Sequence, residues 1–241
     1  MHWFVDHVHY REQGEATTPH TRGLVLNWAW LYDRLMWFVT HGKEQTFRHM
    51  IVDQAQLHLG ETVLDVGCGT GTLAIVAKER VGATGRVSGI DAAPRMIALA
   101  RRKAARRGCT LDFQVGLIEQ LAFPDQSFDV VLSTFMMHHL PDDLKRRGLA
   151  EIVRVLKPEG HLLVTDFNRP QERQSQPEQF GVGEMGVQDL PALMKEAGFS
   201  QTETGEILFP IRSLGRRRAG HQTYGFVRAR KSPVEEKRRI V

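Results

Sequence analysis

The chain opens polar and turns apolar near residue 23. Residues 1–22 scatter His2, His7, His9 and His20 among Trp3, Phe4 and Tyr10, with neither strand alternation nor a helical stripe, and read as a partly ordered arm. Residues 23–58 are dense in large apolar side chains. Leu24, Leu26, Trp28, Trp30, Leu31, Leu35, Met36, Trp37, Phe38 and Val39 are interrupted by Tyr32, Asp33 and Arg34; Phe47, Met50, Ile51 and Ala55 then recur at helical spacing. This predicts two helices. From residue 62 short β-branched runs alternate with longer helical ones. Strands are expected over 62–66, 86–91, 111–115, 128–133 and 161–166, with a tight turn at 157–160. Helices are expected over 73–81, from Pro94 through the basic run 101–107, and over 144–156. A Pro- and Gln-rich stretch, 168–183, predicts a loop. A helix over 187–197, stopped by Gly198, and strands over 199–207 and 223–229 complete the pattern. Strands alternating with helices predict an α/β fold with a doubly wound, mostly parallel sheet. The expected divisions are an arm and helical cover at 1–58, the sheet domain at 59–230, and a frayed tail at 231–241.

The chemistry sits at the strand ends. The first strand carries Asp65 into the loop Gly67, Cys68, Gly69, Thr70 and Gly71. Strand, glycine turn and helix form the ligand-side turn of a doubly wound sheet. Glycines permit the tight turn and let the backbone approach a ligand with no Cβ in the way. A dinucleotide fingerprint, G-x-G-x-x-G, would need glycine at 72, where Thr72 stands, which argues against a nicotinamide cofactor. The second strand ends in Asp91, 20 residues beyond Gly71, where a carboxylate can accept both hydroxyls of a ribose.

The D-x-G-x-G-x-G loop from Asp65, the tripeptide Gly89-Ile90-Asp91, the stretch 121–129 (LAFPDQSFD) and the stretch 155–162 (VLKPEGHL) occur in one order. Together they resemble the class I S-adenosylmethionine (SAM) methyltransferases, over about residues 32–229. Within that family the chain looks most like the ubiquinone/menaquinone-biosynthesis C-methyltransferases and small-molecule relatives, a subgroup that Tyr32-Asp33 ahead of a helix also resembles. The resemblance implies a Rossmann-like, seven-stranded fold, SAM as cofactor, S-adenosylhomocysteine as product, and no metal. It puts Gly67, Cys68, Gly69, Thr70 and Gly71 at the methionine end, Asp91 at the ribose, and Thr134 on the far side of the amino acid moiety. Asp65, Ala92, Met96 and Phe135 join that site. One position departs: where family members often carry an Asp that takes the adenine amino group, this chain reads Leu117. Leucine cannot accept that bond. The backbone at Ile118 and apolar side chains remain to hold the ring. The lost bond is worth about 0.5–1.5 kcal/mol, or about tenfold in affinity.

Met136, Met137, His138 and His139 follow the fourth strand and are expected to face a methyl acceptor; Asp166 and Asn168 follow the fifth. His138, His139 and Asp166 are the catalytic candidates, since histidine can take a proton from a phenol or carbon acid near neutral pH. The alternative is one ring on the pocket wall and the other in solvent. Many transfers to amines or sulfur need no strong base. Trp28, Tyr32, Trp37 and His41 are read as a cover over an apolar acceptor pocket that Met137 and Asn168 also line; plain packing on the sheet edge is the other reading. Removing residues 1–40 would then cut transfer while SAM still binds. An interfacial membrane helix is a third reading, against which the lack of a Lys/Arg stripe on its polar face counts.

Net charge is +4, and the basic clusters at 101–107, 145–147 and 216–218 come with no binding module, so nucleic acid is disfavoured. No apolar run approaches the ~18 residues of a membrane span. No basic-then-apolar leader opens the chain. A cytoplasmic enzyme is expected, with peripheral membrane contact left open. Cys68 and Cys109 offer neither a disulfide framework nor metal spacing. The sequence therefore reads as a SAM-dependent methyltransferase for a small or lipid-like acceptor, with quinone- or phenol-type C- or O-methylation favoured. A phospholipid or small-amine N-methyltransferase, or a SAM-binding protein without turnover, is the alternative.

Overall fold

The computed structural model describes residues 20–26, 28–168, 185–210 and 224–232. Most of the predicted arm with His2, His7 and His9, the predicted 168–183 loop beyond Asn168, Thr223 and the tail beyond Ser232 lie outside them. Among the described residues seven strands form one sheet in the order β3-β2-β1-β4-β5-β7-β6. β1 (Thr62–Val66) lies between β2 (Arg86–Asp91) and β4 (Phe128–Thr134); β3 (Asp112–Val115) and β5 (Leu156–Phe167) extend the parallel part. β7 (Tyr224–Lys231) and β6 (Phe199–Glu206) add antiparallel at the β5 edge. The strand order reverses at β1. A crevice therefore opens beyond the carboxyl ends of β1 and β4, the place where such sheets bind ligands.

Both faces of the sheet are covered. Successive residues of β1 point to opposite sides. Val63 joins Phe47, Ile51, Ala74 and Phe113 in one core, and Leu64 joins Val131, Leu149 and Ile152 in the other. The first core contains α2 (Glu44–Gln54), α3 (Thr72–Val81) and α4 (Pro94–Arg106); the second contains α5 (Asp142–Val155) and α6 (Leu190–Ala197). α2 thus packs as part of the sheet's own core. α1 (Ala29–Val39) packs more lightly, through Ala29 and Tyr32 against Ala93, Met96 and Leu99.

Most boundaries shift by a residue or two from the sequence pattern, and three of the differences have a visible cause. Residues 157–160, expected as a turn, belong to β5. Lys157 Nζ reaches the Asp129 carboxylate on β4 at 2.8 Å and holds the segment in the sheet, while Glu159, at φ 62°, and a register shift at Phe128/Val130 absorb the bend. α5 begins at Asp142 rather than 144, since Asp142 and Asp143 suit the positive end of the helix dipole. The helix expected over 187–197 starts as a 3-10 turn and becomes α6 at Leu190, with Pro191 in its first turn.

Candidate active site

The glycine loop leaves β1 with Gly67, Gly69 and Gly71 at φ 74°, 53° and 76°. Other residues reach that region only with strain. The three serve different ends. A Cβ on Gly67 would lie 2.4 Å from Met136 Cγ, and one on Gly71 2.8 Å from Ala100 Cβ and Phe113 Cζ, so these two glycines allow close packing. A Cβ on Gly69 would meet nothing within 4 Å. Its face is open to the crevice.

β2 holds this loop. The Ile90 carbonyl accepts the Gly67 and Cys68 N–H groups at 2.9 and 2.8 Å. Asp91 Oδ2 accepts from Gly69 N–H and Oδ1 from Ala93 N–H, both at 2.9 Å. Asp91 therefore ties the loop to the start of α4, and each oxygen keeps a further lone pair. Burial raises its pKa, against the two N–H donors. Behind the loop Asp65 is 1% exposed, and its Oδ2 has no hydrogen-bond partner among the described residues. Burial drives its carboxyl up to about 7, opposed by Arg48 and reinforced by Asp91. Arg48 is itself buried, bonded to Glu44 at 3.3 Å.

The crevice encloses about 750 Å³, its open mouth included. One wall is Gly67, Gly69, Asp91, Ala92 and Met96; a second is Gly116, Leu117, Ile118 and Glu119; a third is Thr134, Phe135, Met136 and His139. The fourth wall is the segment Thr21 to Leu26, with Tyr32: Tyr32 was expected in the cover, but the segment ahead of α1 was not. Backbone and side chains stitch this segment across the opening. Leu24 N–H donates to the His139 carbonyl at 3.0 Å, Thr21 Oγ1 to Glu119 Oε1 at 2.9 Å, and Arg22 pairs with Asp143. α1 is clamped as well. Asp33 Oδ1 accepts from Thr70 Oγ1 at 2.7 Å and from Lys103 Nζ at 2.8 Å, and Lys103 also donates to Thr70 and Thr72.

The third wall carries titratable chemistry. Phe135 closes β4 at φ 52°, a strained value for a bulky residue, fixed by its N–H to the Thr165 carbonyl at 2.8 Å. Asp166, 2% exposed, accepts from His138 Nδ1 at 2.7 Å and from the backbone N–H groups of His138 and Phe167. An ionised carboxylate only accepts, so the His138 proton sits on Nδ1 and the lone pair on Nε2. The His139 ring lies 3.9 Å from that of His138. Burial pulls the His139 pKa down to about 4; His138 adds to this and Asp166 opposes it.

Of the cofactor residues named from the sequence, Gly67, Gly69, Asp91, Ala92, Met96, Leu117, Ile118, Thr134 and Phe135 line the crevice, while Asp65, Cys68, Thr70 and Gly71 build the loop behind it. Of the acceptor and catalytic set, Tyr32 and His139 line it, and His138 and Asp166 stand behind His139. The others are not brought there. Met137 is 1% exposed in the core under α5, and Trp37 is 63% exposed. His41 is exposed in the turn after α1, Trp28 sits ahead of α1 with its ring 6.2 Å from that of Tyr32, and Asn168 follows the end of β5 beside Gly225. α1 turns Ala29, Tyr32, Asp33 and Val39 inward, and Trp37 falls on the other side. Lys103 and Asp33 were missed. The Tyr32-Asp33 pair is the signal that points to Asp33; Lys103 lies inside a basic run whose other members do face solvent.

Residues 63–160 match the family model described as "Methyltransferase domain". The demethylmenaquinone methyltransferase of Thermus thermophilus is 38% identical over 139 residues, covering 58% of this chain and 62% of that protein. The ubiquinone/menaquinone biosynthesis C-methyltransferase UbiE of Francisella tularensis is 32% identical over 141 residues, covering 58% and 56%. The alignments thus span less than two thirds of these relatives. A SAM-dependent methyltransferase from Aquifex aeolicus shares the fold, with a TM-score of 0.60 over 81% of this chain and 92% of that one, at 20% identity.

Proposed function

We propose that the chain transfers the methyl group of SAM to a neutral aromatic acceptor, a phenol- or quinol-type ring, at carbon or oxygen; the match of residues 63–160 to a methyltransferase domain supports the reaction class. One observation carries this reading. A single crevice joins the open face of Gly69 and the Asp91 carboxylate to an apolar wall of Leu24, Leu26, Phe135, Met136 and Leu140 with one uncharged histidine. The relatives named for demethylmenaquinone and ubiquinone/menaquinone methylation agree with it.

SAM supplies a methyl group already activated on a sulfonium. The residues supply the rest. Asp91 presents free lone pairs for ribose hydroxyls, Gly69 leaves room for the cofactor, and Leu117 and Ile118 offer an apolar slot in place of an adenine-binding Asp. Thr21 to Leu26 exclude water from the side that the sheet leaves open. His139, neutral at working pH, adds no positive charge beside a sulfonium and can orient an acceptor hydroxyl. The His138–Asp166 pair is the base we assign. Standing behind the crevice wall, His138 takes the phenolic proton on Nε2 through one bridging water, and Asp166 balances the imidazolium that results. An amine acceptor is served less well, because of the two acids lining the crevice Asp91 is given to the ribose hydroxyls and Glu119 is bonded to Thr21.

The test is methyl transfer from labelled SAM to a panel of quinols, phenols, phosphoethanolamine lipids and small amines, read by mass spectrometry. A methylated quinol or phenol is expected, with His138→Gln lowering kcat while the SAM Kd holds. Product confined to amines, or none on any acceptor despite tight SAM binding, would overturn the proposal.

A further inference from the structure

α1 has an outward face with no role in the crevice. Trp30, Leu31, Arg34 and Trp37 recur at helical spacing on the side opposite Tyr32 and Val39. Trp30 is 72% exposed, Trp37 63% and Leu31 42%. Two indoles and a leucine side by side on the outside of a protein mark a contact surface.

Charge identifies the partner. The acid of α1, Asp33, is bound by Lys103, and Glu44 at the start of α2 by Arg48. α4, which packs against α1 through Met96 and Leu99, contains no acid at all. The α4 positions next to Leu99 and Lys103 on the helix surface are Arg95, Arg102 and Arg106, all exposed; Arg34 and Lys43 are exposed as well. None of these five forms an ion pair among the described residues. The sequence argument against an interfacial helix was that α1 has no cationic stripe of its own. The stripe stands on α4, its neighbour in space.

We infer that the outward face of α1 docks on an anionic lipid bilayer, with Trp30, Leu31 and Trp37 in the interface and the Arg95, Arg102 and Arg106 edge of α4 on the headgroups. Indoles prefer the boundary between headgroup and hydrocarbon, and guanidinium stems lie along apolar surface with their charge in the polar layer. A second copy of the chain fits worse, because a two-fold contact through this face would set the same cations against each other. The mouth of the crevice opens nearby: Tyr32 of α1 lines it, and Leu24, 49% exposed, stands in its wall. Docking follows from the surface alone and does not depend on which acceptor is methylated.

The experiment is co-sedimentation of the full chain with phosphatidylcholine vesicles, with and without phosphatidylglycerol, alongside quenching of its tryptophans by brominated lipid. Binding to the anionic vesicles is expected, weak on neutral ones and reduced by salt. Trp30→Ser/Trp37→Ser should lose the quenching and at least about tenfold in binding. Arg102→Glu/Arg106→Glu should lose about tenfold on anionic vesicles only. SAM affinity and thermal unfolding should match wild type in both, which separates this result from misfolding and from failure of the catalytic reading. Binding that survives both pairs, or no binding by wild type, overturns the inference. So does a lipid-free dimer, seen by sedimentation velocity, that the tryptophan substitutions dissolve.

Discussion

Asp91→Ala separates holding the loop from holding the ligand. In the free protein the side chain accepts two backbone N–H groups, from Gly69 and Ala93, each at 2.9 Å. Bonds to a carboxylate are worth about 1.5–3 kcal/mol each when buried. Water in the crevice can replace the one at Gly69, so the expected loss of stability is about 2–4 kcal/mol in total. For a chain of this size that lowers Tm by roughly 5–10 °C. Ligand binding should suffer separately, because the free lone pairs of Asp91 are the only carboxylate acceptors offered at the end of β2. Losing a charged acceptor for hydroxyl donors costs about 1.5–3 kcal/mol, or roughly 10- to 150-fold in SAM affinity. Calorimetry with SAM and thermal unfolding read the two effects independently, and amide exchange at Gly69 reports the loop. A variant with the expected fall in Tm but wild-type SAM affinity would show Asp91 to be a loop support alone and refute the ligand assignment.

Gly69→Val should abolish detectable SAM binding with unfolding little changed, since its Cβ enters open crevice space, although at φ 53° some strain is added; normal SAM binding would show that the loop does not approach the ligand. His139→Asn should change the pH dependence of stability: the folded pKa, about 4, lies below the unfolded value of 6.5, so wild type loses stability as pH falls through that window. The loss reaches up to about 3 kcal/mol, somewhat less for the exposed part of the ring, and the variant should be spared it, so parallel urea-unfolding profiles for the two proteins from pH 7 down to 4 would contradict the assignment. Asp65 works in the opposite sense, favouring the fold below its unfolded value of 3.8 and losing that contribution as pH rises through about 7, which is why the comparison must be between variant and wild type rather than along one curve.

The sheet was legible because buried parallel strands write themselves as β-branched runs, and because Asp65, the three glycines and Asp91 fall at fixed places on two of them. The ends of elements were less so. Residues 157–160 spell a turn, and only the pairing of Lys157 with Asp129, across 28 positions of chain, makes them strand. Lys103 could not be told from its basic neighbours, since its inward direction depends on Asp33 and Thr70 arriving from other elements. The aromatic density of α1 was visible, but its direction was not: inward and outward positions are equally apolar there, and the choice is made by Asp33 bonding Lys103.

The same contacts revise what the N-terminal segment does. If α1 only covered an acceptor, removing residues 1–40 would spare SAM. In the structure that deletion takes away Thr21 to Leu26, the fourth wall of the crevice, along with Tyr32 and the Asp33 anchor on Thr70. The two large cores contain none of these residues; α1 contributes only Ala29 and Tyr32 to the small cluster with Ala93 and Met96. The truncated chain should therefore fold. It should bind SAM at least about tenfold more weakly, since an anchored loop and a water-excluding wall are lost together and each such hydrogen bond is worth about 1 kcal/mol. Asp33→Ala in the full chain, which frees Thr70 but keeps the wall, should show the smaller part of that loss. A folded truncation with wild-type SAM affinity would return the segment to the acceptor alone and leave the cofactor held by β1, β2 and the loop between them.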